Sequence, residues 1–285
     1  MNRIFAFIAV LAAFALPLSP ARAEERYVVT ASWLAEIFVE LGASDQIVGT
    51  GGGMDHLKPL AGKPRLPGFR QTSAESVLAL KPTTLVSTTD VLDPAVAAQL
   101  RKAGVKVQLF EPEPTLAAIE RRIRKVAAMT GRRERGEQVV AKFRADMASA
   151  RALVAKAKTK PRGLFILSGG RRPTLVAGRG TGPANLIELA GGINVATGFD
   201  GFKPMSQEVM VAAAPQFILV NKDGLEMKDG VPVAMAAPGA QQTPAWRNRR
   251  VISLPGEYLQ GFGILTPKAI RALALQLHPD LAGKR

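Results

Sequence analysis

The chain has 285 residues, 47% of them hydrophobic, with 27 Gly, 20 Pro and no Cys. That length and apolar content suit one or two globular domains with their own cores, and exclude the disordered, collagen-like and disulfide-stapled classes. Lys plus Arg number 38 against 23 Asp plus Glu, a formal charge of +15, which taken alone would suggest a nucleic-acid partner.

The first residues redirect that reading. Met1-Asn2-Arg3 is a short positive start, Ile4 to Leu16 is an uncharged apolar run, and the segment closes on Ala21-Arg22-Ala23, the small-x-small pattern that a signal peptidase accepts. The run falls short of the roughly 20 residues that span a bilayer. Residues 1–23 therefore read as a signal peptide and the mature chain as an exported, soluble protein. Removal of Arg3 and Arg22 takes +15 to +13, in a compartment where no nucleic-acid partner is expected. The absence of Cys excludes disulfides, thiolate metal sites and thiol catalysis.

From Tyr27 to Leu109 short β-like runs alternate with amphipathic helices. Tyr27 to Val29 reads as a strand, and Ser32 as the N-cap of a helix with Trp33, Leu34, Ile37, Phe38 and Leu41 on one face, stopped by Gly42. A strand at Ile47 to Gly49, a helix near Ser73 to Leu80, a strand at Thr84 to Ser87, a helix at Pro94 to Ala103 and a strand at Val105 to Leu109 follow. Such alternation implies a parallel sheet covered by helices.

Between Thr115 and Lys160 the pattern becomes purely helical, with one helix from Thr115 to Met129 and a long one from Glu134 to Lys158. The basic run Arg121, Arg122, Arg124, Lys125, Arg132, Arg133 and Arg135 reads as the solvated face of these helices, with an anion-binding stripe as the alternative. After Pro161 the alternation resumes. Strands are expected at Gly163 to Leu167, Thr174 to Ala177, Phe217 to Val220 and Val251 to Leu254. Helices are expected at Pro183 to Ala190, at Ser206 to Ala213, and after a Thr266-Pro267 cap. The simplest architecture is two α/β lobes bridged by long helices, divided as 24–113, 114–160 and 161–285, with a ligand cleft between the lobes.

A repeat relates the two halves. Ser73-Ala74-Glu75-Ser76-Val77-Leu78-Ala79-Leu80-Lys81-Pro82 parallels Ser206-Gln207-Glu208-Val209-Met210-Val211-Ala212-Ala213-Ala214-Pro215. A first-turn Glu satisfies backbone N–H groups and the helix dipole in each copy, but that local role does not explain why the whole unit occurs twice.

With these Ser-x-Glu helices, the segment Arg70-Gln71-Thr72-Ser73-Ala74-Glu75, the run from Gly178 to Asn194, the run from Gly198 to Pro204 and Gly261-Phe262-Gly263 before Thr266-Pro267, the chain resembles the class III periplasmic substrate-binding proteins of ABC importers, and within them the haem (hemin) branch. The resemblance covers nearly all of the mature chain. It implies two Rossmann-like lobes held nearly rigid by the bridging helices, a monomer in the periplasm, haem as transported ligand rather than catalytic cofactor, and an ABC permease dimer as partner. It also implies that Glu75 and Glu208, on the two lobes, form salt bridges to permease arginines.

At the ligand site the chain departs from that branch. Gly68 stands where the iron-ligating Tyr is expected, and the usual Arg after Gly-Phe-Gly is replaced in Gly263-Ile264-Leu265-Thr266. Replacement iron ligands are His56, in a glycine-rich loop after the second strand, and Tyr258, just ahead of Gly261; Met54 and His278 are lesser candidates, His278 reading rather as a helix-dipole partner. His56 is the candidate metal ligand, and an exposed loop histidine is the bland alternative. Phe69 is a candidate aromatic wall. Arg70 and Arg179 are candidate partners for an anionic ligand, with the N–H groups of Gly178, Gly180 and Gly182 as a weaker anion site. A siderophore or corrinoid on the same scaffold is the alternative ligand. An exported enzyme lacks support, since there is no Gly-x-Ser-x-Gly and only two His, and polyanion adhesion through the basic helices is the remaining alternative.

Overall fold

The computed structural model describes residues 25–67, 71–167, 174–228, 231–259 and 261–282. The expected signal peptide, residues 1–23, and the positions Gly68, Phe69 and Arg70 lie outside the described residues.

The first lobe runs β1 (Tyr27–Val29), α1 (Ser32–Glu40), β2 (Ile47–Thr50), α2 (Ala74–Leu78), β3 (Thr84–Thr88), α3 (Pro94–Lys102) and β4 (Lys106–Phe110). Its sheet has the order β2-β1-β3-β4 with every pairing parallel. All of β1 and β3 are buried, as expected of parallel strands covered on both faces. The bridge consists of α4 (Leu116–Met129) and α5 (Arg133–Val154).

The second lobe continues with β5 (Arg162–Leu167), β6 (Leu175–Ala177), α6 (Gly182–Leu189), β7 (Ile193–Asn194), β8 (Phe202–Lys203), α7 (Gln207–Ala213), β9 (Phe217–Asn221), the small hairpin β10 (Met227–Lys228) and β11 (Val231–Pro232), α8 (Pro244–Arg247), β12 (Val251–Leu254), α9 (Gly256–Leu259) and α10 (Thr266–Leu277). Its sheet order is β12-β9-β5-β6-β8, with β7 also on β5. Here the expectation of a parallel sheet is corrected at one strand: β12, β9, β5 and β7 are parallel, but β6 runs antiparallel to both of its neighbours, β5 and β8. The reason is chain length, because the connection from Leu167 to Leu175 is too short for a helical crossover.

Side-chain caps set most helix starts. Ser73, Asp93, Thr115, Thr181, Ser206 and Thr243 each accept a hydrogen bond from a first-turn N–H. Ser32 and Thr266 do not cap, against expectation. Ala31 and Leu265 take those positions, and both helices are instead located by burial, with α1 enclosed from Ser32 to Phe38. The second bridging helix ends at Val154 rather than Lys158, because exposed Lys156, Lys158 and Lys160 crowd like charges ahead of Pro161, which disfavours helix in the residue before it.

One apolar core runs through both lobes. Phe38 and Val86 of the first lobe, Ile119, Ile123, Val139, Phe143 and Met147 of the bridge, and Phe165, Phe217, Leu254, Ile270 and Leu273 of the second belong to a single buried cluster. Around it the basic bridge face is laced with acids: Arg121 with Glu113 at 2.5 Å, Arg124 with Glu137 at 2.9 Å, and Arg144 with Glu120 at 2.6 Å. Solvent screens these surface pairs, so they contribute little to stability. Arg122 departs from the solvated-face expectation, being only 5% exposed.

Candidate ligand cleft

The carboxyl ends of parallel strands are where α/β folds place their ligands, and three such ends meet between the lobes. Strand β1 leads into Trp33 and Glu36 of α1, β2 leads into the glycine loop and His56, and β12 leads through α9 into a strap at Gly261-Phe262-Gly263. The strap lies directly on the indole of Trp33. A Cβ at Gly261 would stand 2.2 Å from the Trp33 ring, and one at Gly263 would stand 3.0 Å from Trp33 Cβ, so glycine is what permits this approach.

Beneath this contact sits Arg122 of α4. Its Nη1 donates to the Phe262 carbonyl at 3.0 Å, and its Nη2 donates to the carbonyls of Glu111 and Glu113 at 2.6 Å each. The guanidinium carbon lies 4.5 Å from the centre of the Trp33 ring, a cation–π distance. Burial pulls the Arg122 pKa down to about 10, so the group remains charged at neutral pH. Helical spacing carried the signal for it: Arg122 shares the face of Ala118, Ile119 and Val126, all buried.

Glu36, 3% exposed, faces His56, whose Nε2 is 3.2 Å from its Oε1. Burial raises the Glu36 carboxyl above its ordinary value, partly offset by His56, while Glu257 of the second lobe adds to the rise and Lys268 opposes it. The hydrogen bond to Glu36 raises the His56 imidazole. Together the two groups hold a proton more tightly than either would in water. Nothing in the local sequence joins residues 36 and 56; the fold does.

Tyr258, on α9 ahead of the strap, is half-buried against the common core. Burial, and then Glu257, raise its phenol. Among the described residues nothing hydrogen-bonds its hydroxyl, whereas the Nε2 of His56 is already engaged. Of the other expectations, Phe69 and Arg70 lie outside the described residues. Arg179 is exposed, and its Nε donates to Asp200 at 2.9 Å. Of the glycine run, Gly178 is committed to the fold, since its N–H donates to the Gly201 carbonyl. Met54 is a buried core residue, and His278 is 1% exposed with both ring nitrogens unpartnered among the described residues, so its ring does not serve a helix end. No group of three or more His, Asp or Glu suited to a bare metal ion occurs among the described residues.

On the outer surface, Glu75 and Glu208 occupy matching first-turn positions of α2 and α7, both exposed. The hydrogen bonds from its own N–H and from Ser206 keep the Glu208 carboxyl below its ordinary value. The repeat extends further than its sequence suggested: Lys81 and Ala214, each just before a Pro, have φ of 48° and 45°.

The periplasmic binding protein family model matches residues 28–258. The fold is similar to that of the periplasmic heme-binding protein RhuT from Roseiflexus sp. RS-1, with 36% identity over 91% of this chain and 100% of that one and a TM-score of 0.84. It is similar also to a periplasmic heme-binding protein from Pseudomonas aeruginosa, at 30% identity, 90% and 93% coverage and a TM-score of 0.83. A third relative is the periplasmic heme-binding protein BhuT, solved in complex with two hemes, at 32% identity, 90% and 99% coverage and a TM-score of 0.82. No curated protein matches the chain. With the family model spanning both lobes and the bridge between them, the chain belongs to the periplasmic binding protein family.

Proposed function

We propose that the protein captures haem in the cleft between its lobes, 24–113 and 161–285 joined by the bridge 114–160, and delivers it to an ABC importer, acting as a periplasmic carrier rather than an enzyme. The observation that carries the reading is full-length likeness, at 30% identity or more, to three periplasmic heme-binding proteins. The hydroxyl of Tyr258, unengaged among the described residues, makes it the favoured iron donor in place of the Tyr absent at position 68, and a phenolate is an established axial ligand type for ferric haem. His56 is the second donor, and to serve it must give up Glu36 or bind through Nδ1. Phe69 and Arg70 are proposed ligand contacts on the strength of the sequence alone. Arg179 reaches a propionate only by exchanging Asp200, at little cost, because the existing pair is exposed.

Hemin titrated into the mature protein should give a saturable Soret band, weakened at least tenfold in Tyr258→Phe and little changed in His56→Ala. Tight binding of a ferric siderophore or a corrinoid with no Soret change would replace haem with that ligand. For delivery, Glu75 and Glu208 dock the carrier, as a monomer, on the two halves of the permease. Each docking helix also exposes an apolar side chain three residues after its glutamate, Leu78 at 36% and Val211 at 38%, suited to a contact in which two weak sites act together. Replacing both glutamates by alanine should abolish uptake in cells and leave the hemin Kd unchanged. A lost Kd in that double variant contradicts the docking assignment.

A further inference from the structure

We propose that Arg122 is a positioning residue of the cleft: its guanidinium holds the Gly261-Phe262-Gly263 strap of the second lobe on Trp33 of the first, and so fixes where Tyr258 stands. The role of Tyr258 in this inference rests on the haem reading above; the clamp itself does not.

Three observations converge on Arg122. Its donors are divided between the lobes: the Glu111 and Glu113 carbonyls belong to the exit from β4, while the Phe262 carbonyl belongs to the strap. Its charge is buried, yet no carboxylate forms a direct salt bridge with it among the described residues; three carbonyl dipoles, the Trp33 ring and the more distant Glu113 carboxylate offset the lost hydration. Burying a cation in this way is expensive, and an aliphatic side chain would fill the same volume at lower cost. The strap, finally, has almost no side chains with which to hold itself. Two of its three residues are glycines, Gly261 pressed against the indole and Gly263 against Cβ of Trp33, and Phe262 alone packs into the core.

The planar fork of arginine is suited to this task. It donates from two nitrogens in different directions while its face stacks on a ring, whereas a lysine ammonium does neither with the same geometry. Tyr258 lies on α9, which runs directly into the strap, so a strap released from Trp33 carries the phenol with it. The same clamp accounts for both glycines: a side chain at either would crowd Trp33, at its ring for Gly261 and at its Cβ for Gly263, stretching the bond from Arg122 to Phe262.

The test uses Trp33 as reporter. The chain has two Trp, and Trp246→Phe leaves only the one in the clamp. In that background Arg122→Lys and Arg122→Met should shift the Trp33 emission to the red and raise its quenching by acrylamide before any ligand is added. They should also weaken hemin binding at least tenfold and move the Soret maximum toward that of free hemin. Adding Tyr258→Phe to either should cost much less than it does with Arg122 present. Gly261→Ala, which attacks the contact from the other side, should reproduce the emission shift. It judges the clamp if Arg122→Met does not fold. Unchanged emission in Arg122→Lys and Gly261→Ala overturns the clamp. An emission shift accompanied by wild-type hemin affinity and spectrum overturns the positioning of Tyr258. Absence of hemin binding in the parent protein overturns the haem reading, and the unliganded fluorescence still decides the clamp.

Discussion

At Glu36 two effects oppose each other: burial favours the neutral carboxyl, while the His56 imidazolium 3.2 Å away favours the carboxylate. The imidazole is raised above its ordinary 6.5 and the carboxyl above its ordinary 4.5. Below these values the folded and unfolded chains bind the same protons and the contribution is complete. As pH rises through the raised folded values the unfolded chain releases its protons first, and stability is lost. The thermal midpoint should therefore fall as pH increases, the Glu36 share from above about 4.5 and the His56 share from above about 6.5, and Glu36→Gln should flatten that limb in calorimetry across pH 4 to 9. A wild-type midpoint constant over the range would contradict the assignment. The sequence exposed little of this junction. His56 and Tyr258 stood out because His and Tyr are rare in this chain, but Glu36 and Trp33 sat within an ordinary apolar helix, and Arg122 was hidden inside a basic run whose other members are exposed. Only the contacts across the lobes separate Arg122 from its neighbours.

The paired helices α2 and α7 carry information at both ends. Their starts were legible, because Ser73 and Ser206 cap and Glu75 and Glu208 follow in the first turn. Their ends were not, since neither Lys nor Ala signals a left-handed residue, yet Lys81 and Ala214 both adopt one ahead of a proline. A left-handed alanine is strained by its Cβ, so Ala214→Gly should raise stability by roughly 0.5–1 kcal/mol, read as a higher urea midpoint with unchanged slope. A lower midpoint would mean that the strain is relieved by contacts that glycine loses. The reversal at β6 was missed for a different reason. Leu175 to Ala177 has the composition of any buried strand, and direction is not encoded in composition; only the short connection behind it marks a hairpin.

The two lobes were legible as separate alternating halves, but not the single core that joins them, because periodicity identifies a buried face and not its partner. Phe143, in the middle of α5, belongs to that shared core. Phe143→Ala should cost about 3–5 kcal/mol and lower one common unfolding transition. Two resolved calorimetric peaks, with only one displaced, would show that the lobes melt independently. The bridge has a further consequence through its charge. Arg121, Arg124 and Arg144 of the bridge are paired with glutamates beside them, whereas Lys156, Lys158 and Lys160 follow α5 exposed and with no acid between them. The excess that remains on the molecule acts at a distance, as a positive field that bends the diffusion of an anionic ligand toward the protein. It sets how often the two meet rather than how long they stay together, and it weakens once dissolved salt shortens the reach of the field to about 10 Å.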